Sequence, residues 1–245
     1  MNEQTKSAIV TGGSRGIGKS IALRLAADGY AVVVNYLNDR NEAEKMVQQI
    51  KADGGDALAV PGNVAVAGDV KQMFDQAETH FGGVDVLVNN AGIMKLAPIG
   101  QSGDQLFDAH ISVNLKGTFN GIREGINRLR EGGRIINLSS SVAALRFENY
   151  GVYAATKSAV ETLTAIAAKE LRGRHITVNA VAPGPTATEL FLDGKPAEVI
   201  DRLAKAAPLE RLGKPEDIAA VVSFLASADG GWVNGQTLRV NGGVI

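Results

Sequence analysis

Seven short runs of β-branched and aliphatic residues alternate with longer amphipathic stretches, and this alternation constrains the fold more than any other feature of the chain. The runs are Ser7–Thr11, Ala31–Asn35, Ala57–Gly62, Val84–Asn89, Gly133–Ser139, Ile176–Pro183 and Thr237–Val240. Most are apolar almost throughout, the pattern of strands covered on both faces of a parallel sheet. Between them, helical periodicity covers Gly16–Asp28, Asn41–Asp53, Val66–Phe81, Leu106–Arg130, Tyr153–Arg172 and Lys214–Ala226. The second of these places Ala43, Met46, Val47 and Ile50 on one face, and Gly54–Gly55 stops it. Repetition of strand, helix and strand predicts a doubly wound α/β fold, about seven parallel strands with helices on both faces. No proline-rich linker, low-complexity tract or repeat divides the chain, so residues 1–245 read as one domain. Its ligand belongs beyond the carboxyl ends of the strands, near the switch in strand order.

Composition narrows the chemistry. A formal net charge of −1 gives no reason to expect nucleic acid or a membrane surface as partner. The chain has no Cys, which excludes disulfides, thiolate metal sites and a cysteine nucleophile. His80, His110 and His175 lie far apart without ligand-like spacing, so no metal is expected. No stretch approaches the roughly 18 apolar residues of a membrane span. The opening MNEQTKSAIVTGG has no apolar leader core and enters a strand almost at once, which leads to the expectation of a cytoplasmic protein.

The first strand runs directly into Thr11-Gly12-Gly13-Ser14-Arg15-Gly16-Ile17-Gly18 and then a helix. Backbone N–H groups at a helix start attract anions, and glycine lets a pyrophosphate approach the main chain. The position of this turn in a strand–turn–helix unit predicts a Rossmann-type dinucleotide site. The second strand ends Val34-Asn35-Tyr36-Leu37, with no carboxylate at its tip to bind ribose hydroxyls and repel a 2′-phosphate. Asp39 comes later and is expected to face solvent, while Arg15 could pair with a 2′-phosphate. NADP(H) is therefore the preferred cofactor, with NAD(H) left open.

Tyr153-Ala154-Ala155-Thr156-Lys157 opens a helix, and positions i and i+4 share a face. A free phenol has a pKa of about 10, too high for a good proton shuttle at neutral pH. A neighbouring ammonium, the helix N-terminus and an oxidised nicotinamide would all favour phenolate, so a lowered value is expected. The spacing alone is weak evidence. The fifth strand ends in Ser139-Ser140, putting hydroxyls at the carboxyl edge, where a serine can hold a substrate oxygen.

With these pieces together, the chain resembles the short-chain dehydrogenase/reductase family over essentially its whole length. The resemblance is carried by Thr11–Gly18, by Asn89-Asn90-Ala91-Gly92 and by Asn114 in Ser112-Val113-Asn114-Leu115. Ser140, Tyr153-x-x-x-Lys157, Asn179–Gly184 and Thr188 complete it. It implies that Tyr153 passes a proton to a carbonyl oxygen or takes one from an alcohol, and that Ser140, rather than Ser139 or Ser141, orients that oxygen. It further implies that Lys157 lowers the phenol's pKa and holds the nicotinamide ribose, and that Asn114 fixes a water linking Lys157 to solvent. Cofactor contacts are implied at Gly12, Ser14, Arg15, Gly16, Ile17 and Gly18, at Asn35 and Tyr36, and at Asn63 and Val64. Asn90, Ala91 and Gly92 would flank the adenine ribose, and Pro183, Gly184, Thr186 and Thr188 the nicotinamide end. Asn63 stands where the family commonly has Asp and brings no charge to the adenine amino group. The family also implies a homotetramer, or a dimer, packed partly through Leu106–Arg130 and Tyr153–Arg172.

Substrate choice is expected from the loops Ile93–Gly100, Val142–Gly151 and Thr186–Pro196, which carry Met94, Leu96, Leu145, Phe147, Leu190, Phe191 and Leu192. The reading is a ketone or aldehyde reductase acting on a small carbonyl or alcohol. Alternatives are a 3-oxoacyl-acyl-carrier-protein reductase, an NAD-dependent alcohol or sugar dehydrogenase, and, in another class, a non-catalytic nucleotide-binding regulator. Carrier-protein docking would need a basic patch near the site, for which Arg128, Arg130, Arg172 and Arg174 are available, although Glu131 interrupts them.

Overall fold

The structure is a computed structural model and describes residues 5–245; residues 1–4, part of the stretch read as lacking a leader core, lie outside the described residues. Seven parallel strands form one sheet in the order β3-β2-β1-β4-β5-β6-β7. They are β1 (Ser7–Val10), β2 (Ala31–Tyr36), β3 (Ala57–Pro61), β4 (Val84–Asn89), β5 (Leu129–Leu138), β6 (Thr177–Pro183) and β7 (Thr237–Val240). Side chains alternate across the sheet as the strand period requires. Ala8, Val10, Val32, Val34, Val86 and Val88 face one core, while Ile9, Val33 and Leu87 face the other. Burial on both faces is why these runs are apolar throughout rather than alternating.

Helices α1 (Gly16–Ala27), α2 (Arg40–Ala52) and α10 (Pro215–Ala226) cover the first face through Ile21, Leu25, Met46, Ile50, Ile218 and Leu225. The second face is covered by α3 (Ala67–Phe81), α5 (Gly117–Arg128) and α7 (Gly151–Glu170), with Met73, Phe74, Ile122 and Ala167 in contact. Between β4 and α5 lie α4 (Asp104–His110) and a π turn, Ile111–Lys116. The expected single helix over 106–130 is therefore divided, and its last residues belong to β5. Leu129 pairs with Val84 before the register shifts, so β5 starts earlier than its apolar run. Two short helices fall in stretches read as loops, α6 (Val142–Leu145) and α8 (Glu189–Leu192), and a third, α9 (Ala197–Lys205), follows where no element was expected. Among the described residues, no helix is long and apolar enough to cross a membrane.

Chain order reverses at β1, whose neighbours are β2 and β4. The crevice beyond the carboxyl ends of β1 and β4 is thus the topological switch point where ligands of open α/β sheets bind.

Candidate active site

The glycine turn leaves β1 and enters α1 across this crevice. Gly12 and Gly16 adopt left-handed φ of 61° and 54°, a conformation that costs other residues free energy. A Cβ at Gly18 would lie 2.3 Å from the Gly12 carbonyl oxygen and 2.4 Å from Asn90 Nδ2, so only glycine permits this close approach. Arg15 occupies the N-cap position of α1 in extended conformation and supplies no side-chain cap. First-turn N–H groups of this 12-residue helix thus have no capping side chain and are available to an anion. Turn and helix start fit a pyrophosphate.

Around the turn, much of the polar chemistry holds backbone. Thr11 Oγ1 accepts from the N–H groups of Asn90 (2.9 Å) and Ala91 (3.0 Å), and Asn90 Nδ2 donates to the carbonyls of Thr11 (2.8 Å) and Gly12 (3.1 Å). This lattice joins the ends of β1 and β4. Asn35 is buried, its Oδ1 accepting from Gly12 N at 3.1 Å and its Nδ2 donating to Val60 O and Gly62 O. It is a bracket between the turn and β3, with both ends of its amide bonded to backbone.

Two further residues of the expected cofactor contacts also pack or bond within the protein. Val64 packs into the second core, with its carbonyl accepting from Asn120 Nδ2. Asn63 Oδ1, the atom expected to meet the adenine amino group, accepts from Ala65 N at 2.9 Å. Ile17 is partly buried against the first core, and Ser14 is buried within the turn. Tyr36 is half-buried at the tip of β2, and Arg15 is exposed in the glycine turn. Asp39 is exposed and accepts from Glu42 N as the cap of α2.

Beyond β5, three consecutive serines divide their duties. Ser139 Oγ donates to Glu161 Oε1 at 2.7 Å, and Ser141 Oγ donates to Ala182 O while accepting from Asn241 Nδ2. Ser140 Oγ accepts from Val142 N at 3.4 Å and lies close enough to the Tyr153 phenol to lower its pKa. One helical turn on, Lys157 is buried, with Nζ 5.8 Å from the Tyr153 ring centroid and donating to Leu138 O at 2.7 Å. That carbonyl is its only hydrogen-bond partner among the described residues. An ammonium has three donors, so the buried charge is short of partners. Desolvation lowers its pKa to about 8.

The phenol departs from expectation. Burial pushes Tyr153 up to about 12, with the nearby Ser140 hydroxyl offsetting only part of the rise and the Tyr150 phenol adding to it. The ammonium is committed to the Leu138 carbonyl and does not reverse this, so Lys157 by itself does not produce a phenolate.

Asn114 sits in the π turn with no exposed surface. Its Oδ1 accepts from Ile93 N at 2.8 Å and its Nδ2 donates to Ile93 O at 3.0 Å, pinning the loop after β4 in both directions. A Cβ on Gly92 would fall 3.3 Å from Asn114 Oδ1 and 3.7 Å from Lys157 Nζ, so Gly92, Asn114 and Lys157 converge. On the far wall, Thr186 donates to Gly184 O and forms a bridge with Gly213, beyond the buried end of β6 at Pro183. Thr188 caps α8, and a Cβ on Gly16 would meet its methyl at 3.6 Å, which brings the α8 loop over the glycine turn.

Sequence reasoning missed two buried features. His110 is fully buried, accepting from Lys95 N at Nε2 and donating from Nδ1 to Leu106 O. Asn89 Nδ2 donates to Asn137 Oδ1, and Asn137 Nδ2 to Thr164 Oγ1, a polar thread from β4 through β5 to α7. A Cβ on Gly121 would strike Asn89 Oδ1, so that glycine seats α5 on the thread. The second-strand bracket and this thread were signalled only by Asn residues inside apolar strands.

Residues 12–245 match the family model described as enoyl-(acyl carrier protein) reductase. Relatives include a short-chain type dehydrogenase/reductase of Picea abies, 46% identical over 97% of this chain and 92% of that protein. An NADPH-dependent aldehyde reductase-like protein, chloroplastic, of Arabidopsis thaliana is 45% identical over 97% and 93%. The 3-oxoacyl-[acyl-carrier-protein] reductase FabG of Staphylococcus aureus is 46% identical over 99% of each chain. Among solved structures, a short-chain dehydrogenase/reductase from Serratia marcescens superposes with TM-score 0.93 at 38% identity, covering 98% of both chains. A short chain dehydrogenase from Burkholderia cenocepacia in complex with NADP gives 0.92 at 37%, again with 98% of both covered.

Proposed function

Because the chain belongs to the short-chain dehydrogenase/reductase family of NAD(P)-dependent oxidoreductases, we propose that it catalyses reversible NADP(H)-dependent interconversion of a ketone or aldehyde with its alcohol. The observation that carries this reading is the nearness of the Ser140 and Tyr153 hydroxyls beside a buried, under-partnered ammonium. When bound, the nicotinamide supplies the hydride in reduction and accepts it in oxidation. Tyr153 Oη gives its proton to the carbonyl oxygen, or takes it from the alcohol. Ser140 Oγ donates to the same oxygen and fixes its position. Lys157 holds the ribose hydroxyls with its free donors, and its charge favours phenolate in the oxidative direction. Gly12, Ser14, Gly16 and Gly18 hold the pyrophosphate with the start of α1. Asn90–Gly92 flank the adenine ribose, and Pro183, Gly184, Thr186 and Thr188 border the nicotinamide.

Preference for NADP(H) is supported by the end of β2. The nearest carboxylate, Asp39, serves as a helix cap, while Arg15 is exposed in the glycine turn. Arg15→Ala should weaken NADPH at least tenfold more than NADH, about what one charge-assisted phosphate contact contributes. Fluorescence titration of both cofactors checks this, and equal losses would remove the assignment. Exposed Phe119 on α5 and Ile166 on α7 support the expected homotetramer.

The similarity to FabG keeps the carrier-protein substrate as a second reading. Against it, the arginines considered for docking lie toward the amino ends of the strands, opposite the site within this chain. Arg128 is held by Asp75 and Glu78, Arg130 by Asp85, and Arg174 faces Glu131. The deciding experiment follows cofactor oxidation with both nicotinamides against simple ketones, aldehydes, sugars and acetoacetyl thioesters. Turnover of ketones and aldehydes with NADPH is expected. Turnover of the thioesters alone would favour the second reading, and no turnover with any of them would overturn the first.

A further inference from the structure

Four rings stand edge-to-face in a line that ends beside the proposed proton carrier. Centroid distances are 6.0 Å from Phe147 to Tyr150, 6.4 Å from Tyr150 to Tyr153 and 6.3 Å from Tyr153 to His110, with interplanar angles of 65°, 61° and 73°. The line runs inward from solvent. Phe147 is 41% exposed, Tyr150 and Tyr153 are half-buried, and His110 has no exposed surface. At its inner end the His110 ring is held by hydrogen bonds at both nitrogens. The Tyr150 hydroxyl has no hydrogen-bond partner among the described residues, so ring packing holds this side chain. Phe147 also borders a cavity of about 360 Å³ shared with Ile99, Arg146 and Gly151, which leaves room beside the outer ring.

We propose that this ladder selects carbonyl compounds whose carbonyl is conjugated to a flat ring, namely aryl aldehydes and aryl ketones. The inference rests on the reading of Tyr153 as proton carrier, because that reading places the substrate carbonyl at the ladder's inner half. A carbonyl oxygen held by Ser140 and Tyr153 puts its attached group against Tyr150. An aromatic group there adds one more offset or edge-to-face contact to an existing series. A saturated ring of the same size buries similar area but has no quadrupole to match. A flexible acyl chain gains no such ring-to-ring contact.

The test compares kcat/KM for acetophenone and cyclohexyl methyl ketone, which match in size and differ in ring saturation. Conjugation lowers the reactivity of the aryl ketone equally in every variant, so the informative quantity is the change in the ratio on substitution. Tyr150→Phe keeps the ring and is expected to hold the aryl-to-alicyclic ratio within about twofold of the unaltered protein. Tyr150→Leu should lower the ratio about 3- to 10-fold, the range of one ring–ring contact. Phe147→Leu, at an exposed position that tolerates change, should lower it by about twofold. An unchanged ratio in both leucine variants, or an equal loss in Tyr150→Phe, overturns the ladder. If the protein reduces other carbonyls but not acetophenone, the ladder fails and the reductase stands. If no carbonyl in the wider screen is reduced, both fail.

Discussion

Replacing Tyr153 by Phe should lower kcat at least 100-fold while leaving NADPH affinity within about threefold, because positioned proton transfer contributes roughly 10²–10⁴ in rate. The substitution removes one oxygen and keeps the ring between Tyr150 and His110, so the wall and the fold remain. Steady-state turnover with the best ketone from the screen and NADPH fluorescence titration together check it. Residual activity above about 1% would show that another group, or water, carries the proton. A second readout comes from the phenol itself. Burial holds Tyr153 at about 12 in the protein alone, so its ionisation should be absent from ultraviolet titration below about pH 11. Adding NADP+ should bring one extra phenolate into view at lower pH, and that step should vanish in Tyr153→Phe.

Lys157→Met should abolish turnover and yet leave the fold at least as stable at pH 7. The ammonium is buried and its pKa falls from 10.5 to about 8, a penalty on the charged form of roughly 3 kcal/mol. Losing its hydrogen bond to the Leu138 carbonyl costs about 1–2 kcal/mol, so a net gain of about 1–2 kcal/mol is expected. The sign with pH follows from proton counts. Between about pH 8 and 10.5 the unfolded chain keeps the lysine proton that the folded chain has lost, so the unaltered protein gains stability as pH rises. Its deficit relative to Lys157→Met should therefore narrow between pH 7 and 9.5, as read by urea denaturation at both values. A methionine variant less stable at pH 7 would mean that the ammonium has compensation the present geometry lacks. For the same reason, kcat/KM for reduction should decline as pH rises through about 8, where the free protein loses the charge.

Some of this organisation was legible in the residues alone. Val84–Asn89 and Thr237–Val240 form strands over the expected residues, because burial on both faces leaves an unbroken apolar run. The sequence shows β5 only from Gly133, because Arg130-Glu131-Gly132 carries no strand signal, and pairing of Leu129 with Val84 extends it. The helix α9 carries Val199, Ile200 and Leu203 at helical spacing, but none of its residues is buried, so it adds nothing to the core that the strand and helix pattern was read from. In the site, Tyr153 and Lys157 could be paired from helical spacing. The backbone bonds that Asn35 and Asn63 make could not, since one residue type serves a ligand or a neighbouring peptide group equally well. The phenol's raised pKa was likewise hidden, because desolvation depends on what surrounds a group and not on its spacing from a cation.

The π turn between α4 and α5 has a consequence for how this stretch can vary. Gly117 N–H reaches back five residues to Ser112 O, and the Asn114 carbonyl instead takes the Thr118 hydroxyl at 2.8 Å. One extra residue in a turn offsets everything downstream by about 100° around the helix axis. Upstream, that axis must point His110 inward against Tyr153; downstream, it must seat Gly121 on Asn89. An evenly wound helix with one residue fewer could satisfy only one of these angular settings. Insertions and deletions here therefore act as changes of phase rather than of length. A single-residue deletion would move the polar floor of the cleft while leaving the helix intact.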